Sequence, residues 1–572
     1  MKHLLFILIT CTLLSSCSNL DLNPLSEGSS ENWYSTKEEL DMSVAYLYHI
    51  DFWPSDLSLG NVSNTYLWTD YFTDDWTARA TLSDVTAGTI NSQTTVVGTM
   101  WTYRCIAAAN RMLQSMDRAA SSVSQDKLKI YEAQARFARA GQYARKIFLY
   151  GDVPYYTGVL SIEEALTLSR TDKSIILQAI YDDYNFAAEY LPLSYNNNEF
   201  KYPTKGAALG MKARIALQMG DWATARDAAK ACMDLGIYQL YPDFYTLFLN
   251  SNKNSIETVF GTPRSIELGT PLPPYRMMEP MLRLVGGVNN GGPSWDLFCA
   301  FLCDDGLPID ESPRFNPQEP FKNRDPRCTK TIVEFGTKWL GFQYQPHPDS
   351  LQVLNYNTGK MQANKDSRAV DQYCSYNGLV RKKHIDDSWI GLRADPDNVI
   401  LRYADVLLMY AEAKIELNEI DQSVLDVMNK VRARAYKVDY TQTSLYPAIS
   451  TTDQTKLRQI LRIERRMEFA FEGLRYFDLI RWRLAEKALT KPIYGMLEVA
   501  ELREKVVKPG LWFFPSTPPI DEDGIADFSE MYNAGLIQKL AERKFDKNRQ
   551  YLWPIPANEI IINKNLKQNP GY

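Results

Sequence analysis

Of the four histidines, His3 lies in an apolar leader, and His49, His347 and His384 stand far from any serine, cysteine or second ligand at the spacing of a triad or a zinc site. Cys11 and Cys17 belong to the leader and its end. The other six of the eight cysteines, Cys105, Cys232, Cys299, Cys303, Cys328 and Cys374, are scattered without a CxxC pair and read as buried free thiols. Cys299 and Cys303 are spaced i, i+4 and could share a helix face, but with no histidine nearby core packing is the better reading. Hydrolysis of a glycosidic bond needs two carboxylates facing each other across a cleft. Glu464, Glu468 and Glu472, with Arg465 and Arg466, instead run along one amphipathic stretch, the pattern of i, i+4 pairs around a buried stripe. These are fold residues by spacing. Asp521-Glu522-Asp523-Gly524 opens like a calcium loop, yet the twelfth position from Asp521 is Tyr532 rather than Glu; a surface turn explains it. No metal, cofactor or catalytic residue is expected.

Cys17 carries a chemistry of its own. Lys2 leads into an apolar run from Leu4 to Leu14, too short to span a bilayer and of the length of a signal-peptide core. The run ends in Leu14-Ser15-Ser16-Cys17, which resembles the lipobox of bacterial lipoproteins, whose thiol is diacylated before cleavage. Residues 1–16 are therefore expected to be a signal peptide, Cys17 the site of lipid attachment, and 17–36 a polar tether rich in Ser, Asn and Gly. Two or three acyl chains suffice for stable membrane anchoring. With Lys2 removed, 62 basic residues face 69 acidic ones, without a Lys/Arg block, which argues against nucleic acid as a partner.

Helices account for most of the remaining pattern. Helical spacing runs from Lys37 to Tyr48, Met100 to Met116, Gln125 to Tyr150 and Lys173 to Tyr190, with Gly151 and Pro192 as stops. Lys205–Met219 and Asp221–Leu235 form a pair, joined at Gly220-Asp221, whose alanines permit close contact; it resembles one tetratricopeptide unit. A second pair, Arg402–Leu417 and Asp421–Ala435, lies about two hundred residues on, so a large insertion must interrupt the array. The stretch 250–398, dense in Pro, Gly, Asn and aromatics, is that insertion; 37–249 and 399–572 flank it. Leu457 to Leu489 is amphipathic and broken near Gly473. The fold class is mainly α: tetratricopeptide-like helix pairs with a loop-rich insertion.

Several stretches in order resemble one family, the SusD/RagB nutrient-uptake lipoproteins of the Bacteroidetes outer membrane. They are WTYRCIAAAN at 101–110, EAQARFARAGQYARKIFLYGDVPYY, DDGLPI at 304–309, NRDPR at 323–327, VILRYADVLLMYAEA, ERRMEFAFEGLRYFDLIRW, and WPIPANEI with QNPGY. The resemblance implies a SusD-like fold and a non-catalytic, surface-exposed protein that captures oligosaccharide and hands it to a SusC-like TonB-dependent transporter. A peptide-binding member of the RagB kind is the alternative; a surface glycoside hydrolase or a scaffold binding only proteins are further ones.

Sugars stack their C–H faces on Trp or Tyr and are fixed by Asp, Asn or Arg. In the regions where the family places its binding aromatics, the candidates are Trp76 with Asp75 and Arg79 (Asp74 beside them), Trp295, and Trp339 with Tyr344. Trp68 and Trp389 are held in reserve. Trp101, Trp222, Trp482 and Trp553 sit in helical or framework motifs and are expected in the core.

Overall fold

Helices form where the caps allow them. In the computed structural model, which describes residues 33–49, 52–53, 69–196 and 202–572, the helices that matter here are α1 (Lys37–Leu47), α2 (Thr95–Trp101), α3 (Arg104–Ser115), α4 (Gln125–Tyr150), α5 (Lys173–Tyr190), α6 (Lys205–Met219), α7 (Trp222–Met233), α8 (Tyr403–Glu416), α9 (Gln422–Tyr436), α10 (Gln454–Glu468) and α11 (Arg475–Arg481). The side chains of Asp172, Thr204 and Asp221 accept the first amides of α5, α6 and α7, each such cap contributing about 1 kcal/mol. Gly220, left-handed at φ 79°, closes α6 and turns the chain into α7.

The expected helix from Met100 to Met116 is two helices, broken at Thr102. The ammonium of Lys146, reaching from α4, takes the carbonyls of Trp101 and Thr102, both at 2.6 Å, and so ends α2 there. α10 and α11 are likewise separated by the turn 469–474. Cys299 and Cys303 do not share a helix, because the segment Trp295–Ala300 ends before Cys303 bridges to Arg324. All six cysteines of the described residues are free and buried; burial pushes the Cys105 and Cys232 thiols up to about 12.

The helices pack side by side: α4 on α5, α5 on α6, α6 on α7, α7 on α8 and α8 on α9. The two tetratricopeptide-like pairs are thus direct neighbours in space. Ala207, Ala213, Ala216, Ala225 and Ala229 are all buried, and a Cβ at Gly210 would lie 2.4 Å from the Leu401 side chain, so small residues set the close spacing. The intervening segment leaves the array through the strand Thr258–Thr262 and returns through Asn398–Arg402, and these two strands pair antiparallel. Between them lies a four-stranded antiparallel sheet from Lys338 to Ala363 and a second hydrophobic cluster containing Met277, Leu282, Trp339, Tyr344, Val380 and Trp389. The insertion therefore has a core of its own, which Trp339, Tyr344 and Trp389 help to fill, while Trp295, Phe298 and Phe321 pack into the main core.

A buried ionic network joins the insertion to the array. The charges of α10 do not pair i, i+4 along their own helix; they reach other segments. Glu464 meets Arg327 and Arg432, both at 2.7 Å. Glu468 meets Arg402 at 2.7 Å, Arg327 at 3.1 Å, and Arg434. Glu472, in the turn, takes Lys383 and Arg402 at 2.6 Å. Arg465 meets Asp405 at 2.9 Å and Asp478 at 3.0 Å. Such pairs add little net stability over apolar substitutes, but losing one partner strands a buried charge, so they fix which segments meet. The Asp521–Asp523 turn is closed by an internal cation, Lys487, within 3.1 Å of Asp521, Glu522 and Asp523.

No helix among the described residues is long and apolar enough to cross a membrane, and they contain no group of three or more metal-ligating side chains placed to hold an ion. Cys17 and Trp68 lie outside the described residues.

Candidate functional site

The segment 69–79 is fastened to the turn between α10 and α11 before it reaches the surface. Thr69 Oγ1 donates to the Gly473 carbonyl at 3.2 Å, and Gly473 N–H donates back to Asp70 at 3.1 Å. Asp74 receives Arg466 and Arg475, both at 2.9 Å, and Asp75 receives Arg466 at 2.6 Å. Burial works against both carboxylates. Arg466, Arg475 and Arg543 outweigh it at Asp74, holding that carboxyl well below its usual range, while Asp75, beside Asp74, is left raised. Trp76 and Thr77 then pair antiparallel with Pro293 and Gly292.

This anchoring buries most of the rings expected to face solvent. Trp76 lies edge-on to Tyr71 and Phe471, with ring centroids at 6.3 and 5.7 Å, above Gly291, where a Cβ would approach its ring to 2.4 Å. Trp295 donates its Nε1 hydrogen to the Asn377 carbonyl at 2.9 Å and packs on Phe513, Phe514 and Phe528. Tyr344 donates to the Gly378 carbonyl at 2.7 Å. Trp76, Asp75, Trp295, Trp339, Tyr344 and Trp389 are all buried. The expectation of an exposed aromatic platform is corrected: the rings are packed inside the protein, and Trp295 and Tyr344 donate their polar hydrogens to backbone carbonyls. Of the expected framework tryptophans, Trp101 and Trp553 are buried, while Trp222 and Trp482 are partly exposed at the core's edge.

Arg79 does reach the surface. Its backbone is left-handed, φ 51°, an uncommon conformation for a residue with a side chain, and its guanidinium spans three carbonyls: Val288 at 2.8 Å, Cys374 at 3.3 Å, and Tyr373. The same guanidinium lies 5.7 Å from the centroid of the Tyr373 ring. Tyr373 is 54% exposed, and Asp371 steadies its loop by accepting the Tyr373 amide at 2.8 Å and pairing with Arg283 at 3.2 Å. Beneath, the buried Asp366 accepts the amides of Arg283 and Leu284 at 2.8 and 3.2 Å and the side chain of Asn289 at 2.9 Å. Burial pushes this carboxyl up to about 6.

The result is one exposed aromatic face with a cation behind it and an Arg–Asp pair beside it, presented where the 69–79, 283–289 and 366–379 segments meet. Such a face stacks on a flat apolar ligand surface and supplies hydrogen bonds at its rim. Tyr373 was not among the sequence candidates. Its signal was a tyrosine in DQYCSYNG, a polar run without helical period.

Two family models match the chain: one described as the SusD family over residues 283–572, and one described as starch-binding associating with outer membrane over residues 20–217. A SusD-like protein P2 of Formosa agariphila is 24% identical, with 99% of each chain covered. Among solved structures, a SusD-like carbohydrate binding protein from Bacteroides fragilis superposes with a TM-score of 0.76 at 26% identity, covering 93% of this chain and 99% of that one. A laminarin binding SusD-like protein superposes with a TM-score of 0.62 at 18% identity, covering 94% and 100%.

Proposed function

Because the chain belongs to the SusD family, we propose that it is a lipid-anchored protein of the outer-membrane exterior that captures oligosaccharides without cleaving them and delivers them to a SusC-like TonB-dependent transporter. The observation that carries this reading is the exposed Tyr373 ring backed by Arg79, a face of the kind that stacks on a sugar ring. The names of two neighbours, a carbohydrate binding and a laminarin binding SusD-like protein, support a glycan over a peptide. Arg79 and Tyr373 are the ligand contacts in this proposal; Trp76, Asp75, Trp295, Trp339 and Tyr344 hold the surrounding segments from beneath. The acid on this surface, Asp371, is tied to Arg283, and capture needs no proton transfer. Cys17 carries the lipid.

The test is titration calorimetry of the chain from Ser18 to Tyr572 against panels of oligosaccharides and oligopeptides, with chromatography of the sugars afterwards. Saturable binding of an oligosaccharide recovered intact is the expected result. Binding of peptides alone would replace the glycan reading with the peptide one, and release of shorter sugars would make the protein a hydrolase.

A further inference from the structure

Where the chain leaves α7 for the insertion it passes the start of α8 and the end of α9, and between them lies a groove of about 590 Å³, open to solvent. The volume falls within the range of about 300–1,000 Å³ typical of small-molecule sites. Its walls are the segment 238–243, Tyr403 and Leu407 of α8, Lys430 and Arg434 of α9, and residues 437–440. Tyr238, Tyr403 and Tyr440 all line it and are only partly buried. The rings of Tyr238 and Tyr403 lie side by side, with centroids 6.2 Å apart and planes 32° from parallel. These walls are fixed from behind. Tyr238 shares a 2.8 Å hydrogen bond with Thr204, the Tyr241 amide donates to Glu257 at 2.7 Å, and Tyr446 donates to the Tyr440 carbonyl at 2.6 Å. A groove held in this way loses little conformational freedom when it is filled.

The charges along the groove are spent unequally. Lys437 pairs with Asp243 at 2.5 Å, and Asp243 also accepts the amides of Tyr245 and Thr246. Arg434 is engaged behind the wall by Glu257 at 3.0 Å and by Glu468. Asp439, which is exposed, accepts the amide and hydroxyl of Thr441 at 2.9 and 2.5 Å. Lys430 has no carboxylate paired with it among the described residues. It is partly buried, and its ammonium stands 4.9 Å from the centroid of the Tyr440 ring, a contact that positions the charge without neutralising it. Set back from bulk water, such a charge attracts an anion more strongly than one in solvent.

We propose that this groove is a second saccharide site, selective for an acidic sugar unit whose carboxylate or sulfate ester takes the Lys430 ammonium while its ring lies on Tyr403 and Tyr238. The proposal rests on the oligosaccharide reading above and adds to it a substrate class and a separate place for it.

The experiment is calorimetric titration of the Ser18–Tyr572 chain, which holds every described residue, with a glucuronate-bearing disaccharide, a sulfate-ester disaccharide and their neutral counterpart. It is run on the wild type, Lys430→Met, Tyr403→Ala and Tyr373→Ala. The expected result is at least fivefold tighter binding of one acidic disaccharide than of the neutral one. Lys430→Met abolishes that preference, Tyr403→Ala weakens the acidic sugar at least fivefold, and Tyr373→Ala leaves the preference unchanged. Which acidic sugar wins tells carboxylate from sulfate. Equal binding of acidic and neutral sugars, or a preference that survives Lys430→Met, would overturn the acidic groove while leaving capture at Tyr373 standing. Absence of binding by every saccharide, longer neutral oligosaccharides included, would overturn both.

Discussion

Replacing Arg466 by methionine tests whether the buried ionic network holds the ligand surface in place. Arg466 bridges Asp74 at 2.9 Å and Asp75 at 2.6 Å. In its absence Asp74 keeps Arg475 at 2.9 Å, but the nearest remaining cation to Asp75 is Arg475 at 4.0 Å. The loss therefore falls on Asp75, a carboxylate buried at 1% exposure. Stranding one member of a buried pair costs about 3–5 kcal/mol. With an unfolding entropy of about 2.1 cal/mol/K per residue over roughly 520 described residues, a single cooperative transition has an entropy of about 1.1 kcal/mol/K, so the midpoint falls by about 3–5 °C. Differential scanning calorimetry measures it. Asp75→Asn in the Arg466→Met background should recover more than half of the loss, because a neutral amide no longer needs the cation. A midpoint within about 1 °C of wild type for Arg466→Met, or no recovery in the double variant, would refute the argument.

Burial raises the Asp366 carboxyl to about 6, above its unfolded value of about 3.9, so its protonation stabilises the fold fully below about pH 4 and that contribution is lost as pH rises through 6, about 3 kcal/mol in all. Asp366→Asn should remove this slope, and urea titrations of both proteins from pH 4 to 7 should give a stability difference that changes across that window; a flat difference contradicts it. Gly141→Ala places a Cβ 2.3 Å from the Trp53 ring and should destabilise by about 1–3 kcal/mol, whereas Gly98→Ala, on an exposed helix position with nothing within 4 Å, should stabilise by about 0.5–1 kcal/mol; thermal melts of the two should move in opposite directions. Cys17→Ser should move the protein from the membrane fraction to the soluble fraction of the source bacterium, and retention in the membrane would remove the lipid anchor from the account.

The helices that could be read from the sequence are those whose ends are set locally. α4, α5 and α6 begin and end where Gly151, Asp172, Thr204 and Gly220 place them. The break between α2 and α3 has no local signal, because its cause is Lys146 on another helix. The same distinction governs the site. That the segment after α1 and the insertion would supply one surface was an expectation taken from where the family places its binding aromatics, and Arg79 stands where the two segments meet. Which rings face outward was not, because burial of Trp76 depends on Gly291 and Phe471 and burial of Tyr344 on Gly378, contacts between residues far apart in the chain. The charges of ERRMEFAFEG were correctly taken as fold residues, but their partners are on Asp74, Arg327, Arg402 and Arg434, which helix periodicity does not encode.

The central claim is that the Tyr373 face binds glycan. Calorimetric titration of an oligosaccharide ligand into wild type, Tyr373→Ala and, as a control, Tyr356→Ala, an exposed tyrosine elsewhere on the insertion, tests it most directly. Truncating a central stacking ring costs at least about 1.4 kcal/mol, or tenfold in affinity, so the account predicts a tenfold or greater loss in Tyr373→Ala and none in Tyr356→Ala; undiminished affinity in Tyr373→Ala would contradict it.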